Sequence, residues 1–349
     1  MSDVKKQLKP QTNALGTVLK VLPLIAFTVP LALLFILNPP DPFLKISTQS
    51  SFELMWKGRT FELFFLWLIA LEFILEWDAI KLKIGKHNKA RVAGYIAVLA
   101  LPTLFIVLVN FLGFNAAIAN WASLNGIAFW ESMPLAFEYL VLCGLFLLAV
   151  TLPFGKRGLT GFALPALFLA LVGVLYTIDN VYPYGSFTPF QILVPTTANL
   201  ASSVLNFMGN TAVMGVDPFS GMPTIDVSGS LGTAKFAIAW PCAGIESFLI
   251  FTAVALLFLK RMQVSWKAKV GFFAVGVLVT YLINVARITV LFIIAMQHGV
   301  NSIPVQDFHF YYGPLYAMTW IISYPLILMG GIAAWRKVRK PQPAPQAPA

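Results

Sequence analysis

Trp240-Pro241-Cys242-Ala243-Gly244-Ile245-Glu246-Ser247-Phe248 opens an apolar run that lasts to Leu259. The stretch places a thiol and a carboxylate at the entrance of a segment long enough to cross a bilayer. Cys242 and Glu246 are four residues apart, so a helix through both would carry them on one face. A thiol at such a boundary is a candidate nucleophile, and the rest of the chain decides whether it has chemical company.

The chain has 349 residues, of which 58% are hydrophobic and only 11% charged. Its mean hydropathy is +0.80. A soluble globular domain carries roughly a quarter charged residues, so the composition reads as an all-α polytopic membrane protein. The net charge of +10 does not imply nucleic-acid binding, which needs basic residues gathered on one soluble face. Two cysteines are present. Cys143 falls mid-way through an apolar run and Cys242 at the start of one, so a disulfide between them is not expected. The first apolar run is long and has no small-residue cleavage site after it, so it reads as a helix rather than a cleaved leader.

Spanning helices need roughly 17 to 25 apolar residues. Segments of that kind lie at 18–37, 61–77, 92–112, 134–152, 159–178, 234–259, 270–296 and 315–335, which predicts about eight transmembrane helices. Internal prolines such as Pro23, Pro102 and Pro325 are tolerable kinks in a membrane. If the helices alternate, 19 of the 24 Lys and Arg residues fall on one side. They include Lys5, Lys6 and Lys9, the group from Lys81 to Arg91, Lys156 and Arg157, the group from Lys260 to Lys269, and the group from Arg336 to Lys340. The positive-inside rule then places both termini in the cytoplasm of a multi-pass cell-membrane protein.

Four connections face outward: 38–60, 113–133, 179–233 and 297–314. The third is much the longest. Within it, 189–208 is semi-polar and suits an interfacial or re-entrant helix. The β-prone runs 212–216 and 224–227 flank Asp217-Pro218-Phe219-Ser220-Gly221, which predicts a small extracellular β-hairpin before the sixth helix. The organisation expected is a five-helix membrane region at 1–178, an external connection at 179–233, a three-helix catalytic region at 234–335 and a basic, then Pro-rich cytoplasmic tail at 336–349. No internal repeat is visible.

Charges inside lipid need a stated reason. Arg287 lies roughly 25 Å along its helix from the inner end, with Asn284 one turn before it. As a structural group it would pair with Glu246 or snorkel outward; as a functional one it would hold a developing oxyanion. His309 stands just outside the last helix in Gln306-Asp307-Phe308-His309. The alternation of helices brings Cys242, Arg287 and His309 to one side. A nucleophilic thiol needs a base or a positive neighbour, and an acyl-transfer oxyanion needs donors. One residue of each kind is present. One Cys and one His do not make a zinc site, so no metal or other cofactor is expected.

With these residues in view the sequence resembles the exosortase/archaeosortase superfamily of membrane cysteine transpeptidases. The resemblance rests on Pro241-Cys242-Ala243-Gly244-Ile245 at a helix start, Asn284-Val285-Ala286-Arg287-Ile288 on the next helix, and Asp307-Phe308-His309 before the last. It covers about 217–335, and its wording is similar to the archaeal branch. Ala243 stands where many relatives have Ser or Thr, and His309 fills a third polar position that elsewhere is His or Arg.

The resemblance implies an enzyme that cleaves the C-terminal sorting signal of exported surface proteins. Such a signal is a short motif, a transmembrane helix and a basic tail. The new carboxyl end would pass through a thioester to an acceptor such as a membrane lipid. Cys242, Arg287 and His309 would be catalytic and on the extracellular side, with Glu246, Asn284 and Asp307 in support. A carboxylate beside the thiol would oppose its ionisation, so Glu246 is better placed as a partner of Arg287. The competing reading is a transporter or channel lined by Arg287 and Glu246, which would have internal repeats and would give Cys242 no task.

Overall fold

The computed structural model describes residues 14–37, 60–77, 89–182, 192–218, 220–239 and 242–338. The N-terminal lysines, Lys81, Lys83 and Lys86, the turn-rich opening of the third outward connection and the Pro-rich tail lie outside them. The chain divides into two compact units, Met1–Ser186 and Phe187–Ala349.

The first unit holds α1 (Ala14–Leu37), α2 (Thr60–Leu75), α3 (Lys89–Phe111), α4 (Phe114–Leu124), α5 (Met133–Phe154), α6 (Lys156–Gly161) and α7 (Ala163–Val181). Its core is aromatic. Phe27, Phe65 and Phe146 are fully buried and meet edge to face, with ring centroids 5.1–5.7 Å apart. Three carboxylates, Glu62, Glu72 and Glu138, are buried among these helices, and none stands out in the sequence as more than an interruption of an apolar run.

The second unit holds α8 (Leu193–Phe207), β1 (Thr211–Val216), β2 (Pro223–Gly229), β3 (Gly232–Ala237), α9 (Ile245–Arg261), α10 (Trp266–His298), the short α11 (Ile303–Asp307), a π-turn at Phe308–Tyr312 and α12 (Gly313–Val338). Helix α8 buries Val194, Thr197, Ala198, Ala201, Ser202 and Leu205. That spacing is a single helical stripe, and it rests on the sheet and on α10. The strands form an antiparallel sheet in the order β1-β2-β3. Ile225, Val227 and Ala234 are buried in it, and Phe236 meets Phe292 of α10 with centroids 5.1 Å apart. Helices α9, α10 and α12 pack through Phe251, whose ring lies 6.0 Å from Phe273 and 5.5 Å from Tyr324.

The protein is therefore a mostly helical, multi-pass membrane protein with one small sheet. Helices stand at each of the eight expected apolar segments. Among the described residues, five are long and apolar enough to cross a membrane: Lys89–Phe111, Trp130–Phe154, Ala163–Val181, Trp266–His298 and Leu315–Trp335. Helices α2 and α9, with 16 and 17 residues, fall short of that length.

Three expectations change. The hairpin is a three-stranded meander, because 232–237 pairs in register with β2 although 234–237 was expected to open the sixth span. The sixth helix consequently begins at Ile245, not at 234. The second outward connection also contains a helix, α4, which buries only Ile118 and Ala122.

Candidate active site

Helix α9 starts late because Gly244 sits in the left-handed region, at φ 93° and ψ 10°. Only glycine takes that conformation without strain. It turns the chain sharply, so Cys242 occupies a turn before the helix and not the helix itself. The expected sharing of a helical face by Cys242 and Glu246 is thus corrected: Glu246 lies in the first turn of α9 and Cys242 outside it. The Glu246 side chain lies outside the described residues, and with it the expected pairing to Arg287.

Asn284 of α10 holds this turn. Its Nδ2 donates to the main-chain oxygen of Cys242 at 2.8 Å. A Cβ on Gly244 would come within 2.8 Å of Asn284 Cγ, so the glycine also allows the close approach. Asn284 is 3% exposed, and its buried Oδ1 has no hydrogen-bond partner among the described residues. An apolar residue would avoid that cost, so the amide earns its place through what its nitrogen holds.

Three residues along α10, Arg287 is held by the turn that precedes α12. Its Nη2 donates to the main-chain oxygen of His309 at 3.0 Å. The local backbone explains why that oxygen is open. The N–H of Gly313 bonds to Phe308 O, which is π-type pairing across five residues. The same pairing for His309 would need an N–H from Pro314, which has none. The guanidinium takes the vacant position. Gly313 makes room for it, since a Cβ there would lie 2.5 Å from Arg287 Nε.

These groups meet at a cavity of about 240 Å³. Cys242, Arg287 and His309 all line it, together with apolar walls from Phe236, Ile238, Ile288, Leu291 and Phe308. Asn284 reaches Cys242 from behind. Asp307 is not among the lining residues, whereas its neighbour Gln306 is, as is Asn301. Those two amides were not singled out from the sequence. Their only sequence signal is nearness to His309, which does not separate Gln306 from Asp307.

Burial first and the Arg287 charge second lower the His309 pKa to about 4. The imidazole is therefore neutral near pH 7. It can accept a proton from a thiol, and the imidazolium then formed is a strong acid towards a leaving amine. The Arg287 guanidinium is always charged and carries its donors in a planar fork, the kind of group that holds a developing oxyanion. Among the described residues no group of His, Cys, Asp and Glu is arranged to hold a metal ion.

Residues 56–328 match the protein family described as transmembrane exosortase (Exosortase_EpsH). The matched span runs from before α2 into α12 and contains every residue of the cavity. No curated protein and no solved structure matches the chain.

Proposed function

The chain belongs to the transmembrane exosortase family, and from that membership we propose that it is a cysteine transpeptidase acting through Cys242, Arg287 and His309. The observation that carries the reading is their convergence on one cavity. A thiol, a neutral imidazole and a guanidinium are the three groups that acyl transfer through a thioester requires.

In the mechanism proposed, His309 takes the proton of the Cys242 thiol as sulfur attacks the scissile carbonyl. A C–S bond forms and the carbonyl π electrons move to oxygen, where Arg287 holds the negative charge. Collapse of the adduct breaks the C–N bond, and the His309 imidazolium gives its proton to the departing amine. The resulting thioester passes its acyl group to an acceptor nucleophile, with His309 again taking the proton and returning it to sulfur.

The substrates proposed are exported surface proteins with a C-terminal motif, a transmembrane helix and a basic tail. The acceptor proposed is a membrane lipid, the orientation proposed puts the cavity on the outside of the cell membrane with both termini in the cytoplasm, and the branch proposed is the archaeal one. The distribution of basic residues supports the orientation, and the wording around Cys242 and Arg287 supports the branch.

The test is processing of a co-expressed surface protein that bears such a signal. Cys242→Ala and Cys242→Ser should accumulate in the membrane and process nothing; normal processing by either would end this reading. Mass spectrometry of the product's new C-terminus then separates transfer, seen as an added lipid mass, from hydrolysis, seen as a free carboxylate.

A further inference from the structure

The two edges of the small sheet are treated differently. Gly229 and Gly232 pair across the two-residue turn formed by Ser230 and Leu231. In such a hairpin the flanking pair exchanges its hydrogen bonds, so Gly232, Ala234 and Phe236 turn their N–H and C=O groups towards β2. The bond from Ile238 N–H to Pro223 O, at 2.8 Å, continues the alternation. Thr233, Lys235 and Ala237 therefore turn theirs away from the sheet.

By the same alternation Ala212 of β1 points outward on the opposite edge. There the protein closes it. Ala212 N–H donates to Asn206 Oδ1 at 2.7 Å, and Asn206 Nδ2 donates back to Ala212 O at 3.3 Å. Ser202 Oγ adds a third bond to the same oxygen at 3.3 Å. On β3 no counterpart exists among the described residues: Thr233, Lys235 and Ala237 are exposed and make no hydrogen bond along that edge. An open edge with unpaired main-chain groups is a liability that folds usually cover. This one leads to the cavity, since Ala237 and Ile238 are both part of its lining beside Cys242.

We infer that the segment of the exported protein next to its scissile bond binds in extended form as a fourth strand on the free edge of β3. This rests on the transpeptidase reading of the same cavity. Main-chain pairing gives purchase on a peptide and fixes its register, while alternate side chains supply specificity. A strand laid against Thr233, Lys235 and Ala237 ends at Ala237, which lines the same cavity as Cys242. One substrate side chain then meets the apolar wall of Phe236, Ile288, Leu291 and Phe308. Lys235 does not block the edge, because its ammonium lies 3.8 Å from Asp226 of β2. Six residues of β3 accommodate a segment of about five or six residues at roughly 3.4 Å each.

The experiment is disulfide trapping with the full-length enzyme in membranes, in a Cys143→Ala, Cys242→Ala background. The probe is an exported protein from the same source whose processing stops in Cys242→Ala cells. Single cysteines are placed at consecutive positions in the eight or so residues before its apolar helix, and paired with Thr233→Cys, Lys235→Cys or Ala237→Cys. The exposed ion pair lost in the second variant contributes little to folding. Pairing on β3 requires cross-links at alternate substrate positions, with the register moving by two from one enzyme position to the next. The direction of that movement gives the strand's polarity. Absence of cross-links, cross-links without the two-residue step, or cross-links only between two enzyme copies would overturn the inference. Ala237→Pro removes one outward N–H without touching the β2 ladder; it should slow processing at least tenfold, and an unchanged rate counts against the fourth strand. Failure of the transpeptidase reading itself appears before any trapping, as the finding that no exported protein stops being processed in Cys242→Ala cells.

Discussion

The side-chain amide of Asn284 donates to the main-chain oxygen of Cys242 at 2.8 Å, which ties α10 to the turn that carries the thiol. Asn284→Leu keeps the branched outline of the side chain and removes the donor to the Cys242 oxygen, a loss of about 1–3 kcal/mol. If the loss falls on the placement of the thiol, processing drops roughly ten- to a hundredfold. Asn284→Asp should be at least as damaging, since a carboxylate oxygen would face the carbonyl. Rates from both variants, normalised to protein accumulated in the membrane, check this; wild-type rates would remove the anchoring role.

Gly244→Ala tests the turn from the other side. A left-handed conformation costs a residue with a Cβ about 1–2 kcal/mol. The new methyl would also press on Asn284 Cγ at 2.8 Å. The variant should unfold at lower temperature in detergent and process more slowly than its stability loss alone explains. Equal melting curves would mean that the turn relaxes freely.

Gly313→Ala addresses the seat of Arg287. The methyl would stand 2.5 Å from Arg287 Nε and 3.0 Å from its Cδ, so the guanidinium must shift from its seat. The bond to His309 O breaks with it, and kcat/KM should fall at least tenfold, in the manner of Arg287→Lys. The lysine retains the charge but not the planar fork. A Gly313→Ala enzyme with normal kcat/KM would show that the position of the guanidinium is immaterial.

His309 gives the pH dependence a sign. Its pKa falls from the ordinary 6.5 to about 4, through burial first and the Arg287 charge second. The neutral imidazole required by the mechanism persists to well below pH 6, so the acid limb of kcat/KM should lie near pH 4. A limb near 6.5 would contradict the buried, Arg-facing placement. Stability is linked in the same direction. Between pH 6.5 and about 4 the unfolded chain binds a proton that the folded chain refuses. This contribution is complete above 6.5, is lost as pH falls through the window and levels off below about 4. His309→Gln should lack that component when melts of the two proteins are compared across the window.

Much of this was legible in one dimension. Apolar runs of spanning length located a helix at each of eight places, because a bilayer sets the length and character of what crosses it. The residues proposed for acyl transfer, Cys242, Arg287 and His309, could be chosen because each is chemically out of place where it stands. Residues 234–237 were read as the beginning of a helix, because apolar content alone does not distinguish a strand from a span. Their pairing with β2 is a long-range fact. Asp307 was named as support for His309 and Gln306 was not singled out, yet of the two only Gln306 lines the cavity.

The sequence by itself determined the membrane class of this protein and the inventory of its reactive groups, since both follow from local composition and side-chain chemistry. Tertiary structure decided how those groups are held. Cys242 stands off the helix because Gly244 turns left-handed against Asn284, and Arg287 grips His309 because Pro314 cannot supply the N–H that the π-turn lacks. Neither relationship is a property of one residue or of one spacing. Each exists only when a helix brings a donor to a main-chain oxygen that its own segment has left open.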